Sequence, residues 1–194
     1  DSSHPCRYQS LQPTRGGPNG QPEAINRICR WLDEWRQGPP HRTWWPERIT
    51  ADEHRAHRPR QRRPARPSWC YGTPGLARAQ QLAALALDDP QRQQIAENAL
   101  LSCVTDPEQL ATLTNASLCH GWTGLTLATT RAAADARTTA LTDHLPALKA
   151  RLTPQATTSL EQPGLLEGSA GVALTRALQS GRTWAWDACL LTAG

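Results

Sequence analysis

Tyr71-Gly72-Thr73-Pro74-Gly75-Leu76, His120-Gly121-Trp122-Thr123-Gly124-Leu125 and Glu167-Gly168-Ser169-Ala170-Gly171-Val172 align without a gap. Each is Gly-x-x-Gly followed by an aliphatic residue, and successive first glycines stand 49 and 47 residues apart. One such pair arises readily by chance. Three at a near-constant interval indicate a supersecondary unit that repeats. An interval of this length holds two helices and their connections, so the predicted unit is a helical hairpin. Glycine at the head of a helix lets the chain turn tightly and lets another backbone come close. Equivalent turns of stacked repeats gather at one end of the assembly, where residues remote in sequence become neighbours.

The remaining sequence agrees with an all-α fold. Its 194 residues suffice for one domain with a hydrophobic core, and the chain contains no Phe and no Met. The apolar residues are mainly Ala and Leu, strong helix formers, while the β-favouring Val and Ile are sparse. Ile25, Ile28, Cys29, Leu32 and Trp35 recur at helical steps and predict a helix over 22–37, ended by Gly38-Pro39-Pro40. Further helices are predicted over 75–88, 90–104, 107–115, 123–135, 138–151, 155–161 and 170–179. Pro90, Pro107 and Pro154 suit first-turn positions, and Asp89 and Thr153 suit caps. Residues 1–21 read as an irregular segment and 22–194 as the helical domain. With no initiator Met, the sequence reads as a piece of a longer chain.

The net charge of +4 is modest. Much of the excess lies in a basic, Pro-broken loop over 54–67, read as solvated; no nucleic-acid-binding motif accompanies it. No apolar run is long enough to span a bilayer. The six cysteines are spaced too widely for a small disulfide scaffold. Cys29, Cys103 and Cys189 sit among apolar residues and read as buried thiols. A reducing, cytoplasmic setting follows.

The repeat gives two other cysteines a different meaning. Cys70 precedes Tyr71-Gly72 and Cys119 precedes His120-Gly121, at matching repeat positions. Repeat geometry predicts that Cys70, Cys119 and His120 converge. Two thiolates and an imidazole suit zinc. In the third turn Glu167 stands where Tyr71 and His120 stand in the others, and neither Cys nor His supplies a fourth ligand. Three protein ligands with an open corner are the pattern of catalytic rather than structural zinc. Such a site can activate water or deprotonate a bound thiol, and the constellation alone does not choose between them.

Trp69-Cys70-Tyr71-Gly72-Thr73-Pro74-Gly75, Leu118-Cys119-His120-Gly121 and Gly164-Leu165-Leu166-Glu167-Gly168-Ser169-Ala170-Gly171 resemble the signature blocks of lanthionine synthetase C-like proteins. Ile28-Cys29-Arg30-Trp31-Leu32-Asp33 and Trp186-Asp187-Ala188-Cys189-Leu190-Leu191 also look like that family. The resemblance implies a partial α,α-toroid, with Gly-rich turns gathered around zinc held by Cys70, Cys119 and His120. It implies a lanthipeptide cyclase that adds peptide Cys thiols to dehydroalanine or dehydrobutyrine, forming lanthionine or methyllanthionine. It carries active-site roles to Arg66, as enolate stabiliser, and to Tyr71. The implied partners are a dehydrated precursor peptide and a dehydratase, with association to a membrane through a biosynthetic complex left open. The upstream His and Asp that the family uses for proton transfer have no match in residues 1–20. Alternative readings are zinc-dependent addition of glutathione or another small thiol, and a non-catalytic peptide-binding remnant.

Overall fold

The computed structural model describes residues 20–153, 160, 162–180 and 185–192. Their regular secondary structure is helical, apart from an isolated antiparallel bridge between Gln37 and Trp44. The elements are α1 (Gln21–Glu34), α2 (Ala51–Ala56), α3 (Thr73–Leu87), α4 (Pro90–Thr105), α5 (Pro107–Leu110), α6 (Trp122–Asp135), α7 (Ala140–Lys149), α8 (Ser169–Gln179) and a 3₁₀ helix (Ala185–Leu190). Among the described residues no helix is long and apolar enough to cross a membrane.

Helices α3, α6 and α8 each begin immediately after the first glycine of a repeat. Each of α3 and α6 pairs with the following long helix, α3 with α4 and α6 with α7. The Gly-capped helices also touch in series, α3 on α6 and α6 on α8, while α4 meets α7. The result is an inner row and an outer row, an arc of an α,α-toroid.

An inner helix has no solvated face, and α6 is buried nearly all round, at Thr123, Leu125, Thr126, Leu127, Ala128 and Thr129. Its threonines solve the polar problem locally. Thr126 Oγ1 donates to Trp122 O and Thr129 Oγ1 to Leu125 O, each at 2.7 Å. The core between the rows gathers Trp35, Trp45, Leu100, Leu125, Leu141 and Leu148. The C-terminal segment is pinned by charge: Asp187, fully buried, accepts both arms of Arg131 at 2.6 Å. Buried Arg78 donates to Thr192 O at 2.8 Å and pairs with Asp135 at 2.7 Å.

Several sequence expectations need correction. Helix α1 stops at Glu34, and its apolar face is only partly used: Cys29 and Trp35 are buried while Ile28 is exposed. The helix expected over 107–115 ends at Leu110, where the chain tightens into turns with Thr112 N donating to Gln109 O at 3.0 Å and Leu113 N to Leu110 O at 3.1 Å. Cys29 and Cys103 are buried as expected, but the Cys189 thiol is exposed. The helix expected over 155–161, with Pro154, lies outside the described residues apart from residue 160, as do residues 1–19. Asp89 does cap α4, its carboxylate accepting from Arg92 N at 2.9 Å.

Helix α2 was hidden inside the Pro- and Arg-rich stretch. Its signal is Thr50-x-x-Glu53, a complete capping box. The Glu53 carboxylate accepts from Thr50 Oγ1 at 2.6 Å, Thr50 N at 2.9 Å and Arg60 N at 2.6 Å. One acidic side chain thus starts α2 and ties down the basic loop that leads to Cys70. The Thr50 hydroxyl, then the backbone amides, hold this carboxyl down to about 2 from 4.5. A depressed carboxylate stabilises the fold above its unfolded value and loses that contribution as pH falls toward the folded value. We therefore expect Glu53→Gln to lower the melting temperature at neutral pH and to flatten its decline between about pH 4.5 and about pH 2. Thermal unfolding across that range is the check, and an unchanged slope would contradict it.

Candidate metal centre

The first two repeats match more deeply than the glycines. Gly72 N donates to Ser68 O at 3.1 Å and Gly121 N to Ser117 O at 3.0 Å. Tyr71 N donates to Ser68 Oγ at 3.3 Å and His120 N to Ser117 Oγ at 3.2 Å. Buried Ser68 and Ser117 thus fold the two turns identically, and the Ser-x-Cys-x-Gly signal was present twice in the sequence. The third turn has Gly164 at the serine position. It joins the second directly, through Cys119 N donating to Leu166 O at 2.9 Å.

The second glycine of each motif sets the spacing. A Cβ on Gly75, Gly124 or Gly171 would lie 1.8, 2.1 or 2.2 Å from the carbonyl oxygen of Trp69, Leu118 or Leu165, respectively. On Gly124 it would also stand 3.1 Å from Trp69 Cβ, and on Gly171 2.9 Å from Leu118 Cβ. Gly124 and Gly171 therefore seat their turns against Trp69 and Leu118, the residues that precede the cysteines of the turns before them.

These contacts bring Cys70, Cys119 and His120 together, as the repeat predicted. The sulfurs are 2.9 Å apart, and Cys70 Sγ is 3.0 Å from His120 Nδ1. All three donor atoms lie within 4.8 Å of one another, and both thiols are free. The donor set fits zinc: two sulfurs and one ring nitrogen on one side of a point, as a tetrahedral site requires. In a tetrahedral zinc site two thiolate sulfurs stand ~3.8 Å apart, and here they are 2.9 Å apart. Burial, reinforced by Cys70 and then Glu167, pushes the Cys119 thiol up to about 12. A thiol raised in this way would have to give up its proton to serve as a metal ligand.

Tyr71 stacks on the His120 ring, with centroids 5.6 Å apart and planes 20° off parallel. On the other edge, His120 Nε2 faces Glu167 Oε1 at 3.5 Å. Cys70 and Tyr71 open onto a cavity of about 860 Å³, which Trp31, Trp35, Ile49 and His54 also line. Sequence reasoning missed this cavity, though Trp44-Trp45 beside the capping box was its visible mark. Trp45 Nε1 donates to Leu32 O at 2.9 Å and holds the segment under α1. Arg66 is placed differently: it lines a second cavity, of about 760 Å³, with Arg42, Arg63 and Asp106, and not the one onto which Cys70 opens.

The comparisons with known proteins agree with this fold. The family model described as lanthionine synthetase C-like protein matches residues 10–191. The chain belongs to that family. Among solved structures it is similar to nisin cyclase, with a TM-score of 0.76 at 20% identity over 92% of this chain. The match covers 45% of the nisin cyclase chain, so this sequence corresponds to less than half of it. No curated protein sequence matches.

If the trio holds a metal, zinc raises thermal stability by an amount set by its excess over Kd, about 4 kcal/mol at a thousandfold. We expect one zinc per chain and a matching rise in melting temperature, both lost in Cys119→Ala and kept in Cys189→Ser. Metal analysis with differential scanning fluorimetry decides this, and stoichiometric zinc in Cys119→Ala would contradict it.

Proposed function

We propose that this chain is the metal-holding part of a zinc-dependent lanthipeptide cyclase. In this reading a peptide Cys thiol is joined to the β-carbon of dehydroalanine or dehydrobutyrine. The observation that carries the reading is the Cys70–Cys119–His120 trio, whose Cys70 opens onto a large, mainly apolar cavity. An open three-ligand site leaves a corner for a substrate thiol, and the aromatic walls suit an uncharged, planar dehydroamino acid better than a charged small molecule. Membership of the family supports the same class of chemistry.

Zinc, when bound, supplies the Lewis acidity that makes a coordinated thiol a nucleophile near neutral pH. The chain's own residues do the rest. Trp31, Trp35 and Ile49 bind the alkene-bearing segment and keep water from it. The thiol releases its proton to solvent, the sulfur lone pair forms the C–S bond at the β-carbon, the C=C π electrons move to an enolate, and one proton from solvent enters at the α-carbon. In this reading Tyr71 donates its phenolic O–H to the enolate oxygen, a role supported by its exposure on the wall of the same cavity. For Arg66 that role rests on its family position alone, since it lines the other cavity.

The test is zinc-loaded chain with a dehydrated precursor peptide, and separately with glutathione and a simple acrylamide-type electrophile. We expect intramolecular thioether formation above the zinc-and-peptide blank, abolished in Cys119→Ala. Because the chain spans under half of nisin cyclase, the rate is expected to be low. Addition of glutathione without ring formation would reassign the site to small-thiol chemistry. Zinc binding with neither reaction would make the chain a non-catalytic relative.

A further inference from the structure

The three residues that precede the first glycine of each repeat are Tyr71, His120 and Glu167, and they form one contact set. Tyr71 covers a face of the His120 ring, Nδ1 faces the Cys70 sulfur at 3.0 Å, and Nε2 faces Glu167 Oε1 at 3.5 Å. Of these only His120 belongs to the donor cluster. The Glu167 carboxylate faces the ring nitrogen that the Cys70 sulfur does not.

Such a ring has two nitrogens and two neutral tautomers, and only one presents a lone pair to the metal. The group on the other nitrogen decides which. We propose that Glu167 is the positioning residue of this centre: it accepts the Nε2–H of His120, selecting the tautomer whose Nδ1 lone pair points at the space between Cys70 and Cys119. The proposal rests on the metal-centre reading above.

The backbone places Glu167 for this. Leu166 O accepts from Cys119 N at 2.9 Å, and Ser169 N donates to Gln162 O at 2.9 Å. A Cβ on Gly168 would lie 2.1 Å from Gln162 O, so the turn admits no side chain there. The residue before Gly168 is thereby held beside the residue before Gly121. The carboxylate end is more than half exposed, and a small side-chain rotation shortens 3.5 Å to a hydrogen bond. Outer partners of a ligating histidine are worth 10–100-fold in metal affinity.

The test uses the full chain and zinc alone, in competition with a chromophoric chelator, for the parent, Glu167→Ala and Glu167→Gln. Nitrogen NMR of the His120 ring and metal-free melting curves accompany it. We expect alanine to weaken zinc roughly 10–100-fold with the metal-free melting temperature unchanged. Glutamine, which still offers an acceptor oxygen, should recover a large part of the loss, and the zinc-loaded parent should carry its ring proton on Nε2. Zinc affinity of Glu167→Ala within twofold of the parent would overturn the proposal. So would an affinity loss matched by a fall in metal-free stability, a glutamine variant as weak as alanine, or a ring proton on Nδ1. A parent chain that takes up no zinc defeats the metal-centre reading itself, whereas a zinc-binding parent with an indifferent Glu167→Ala defeats this inference alone.

Discussion

The distance between neighbouring turns is fixed by what a glycine lacks. At Gly124 a single methyl group would collide with the Leu118 carbonyl at 2.1 Å and press on Trp69 Cβ at 3.1 Å. At Gly171 it would meet the Leu165 carbonyl at 2.2 Å and Leu118 Cβ at 2.9 Å. Trp69 and Leu118 are the residues immediately before the two cysteines. The close backbone approach that glycine permits is therefore also what sets the separation of the sulfurs. If those contacts were looser, the ligands would still exist but would not share a point.

The rest of the fold supports this arrangement. Inner helices wedged between neighbours cannot offer a polar face to water, so α6 uses threonines that return their hydroxyl protons to the preceding turn. Buried charges are used where a segment must be anchored: Asp187 on Arg131, and Arg78 on Asp135 and the Thr192 carbonyl. Taking one member from such a pair strands the other in the interior, which is costly. Glu53 does the equivalent work nearer the surface, folding the basic loop back on α2 just before Ser68 starts the first turn. Trp45, lodged beneath α1, helps form the aromatic wall that ends at Cys70 and Tyr71.

Much of this was legible in the sequence because repetition converts chain position into spatial position. The all-α class followed from Ala and Leu content, and the convergence of Cys70, Cys119 and His120 from their matching places before two equivalent glycines. Helix starts after Gly72, Gly121 and Gly168 were visible for the same reason. What was not legible depends on contacts that have no period. Helix α2 hides in a stretch whose composition suggests coil, and only the Thr50–Glu53 pairing reveals it. Ile28 keeps helical register yet faces outward, because periodicity marks a face without saying what covers it. Arg66 stands four residues before Cys70 in sequence, yet the two residues line different cavities.

The chemical account depends on a cation sharing Cys70, Cys119 and His120, and zinc K-edge X-ray absorption of the loaded chain addresses that directly. The account predicts two sulfur scatterers at about 2.3 Å and one imidazole nitrogen at about 2.0–2.1 Å, with a light atom in the remaining position. A first shell of oxygen and nitrogen alone, or one with four sulfurs, would contradict it.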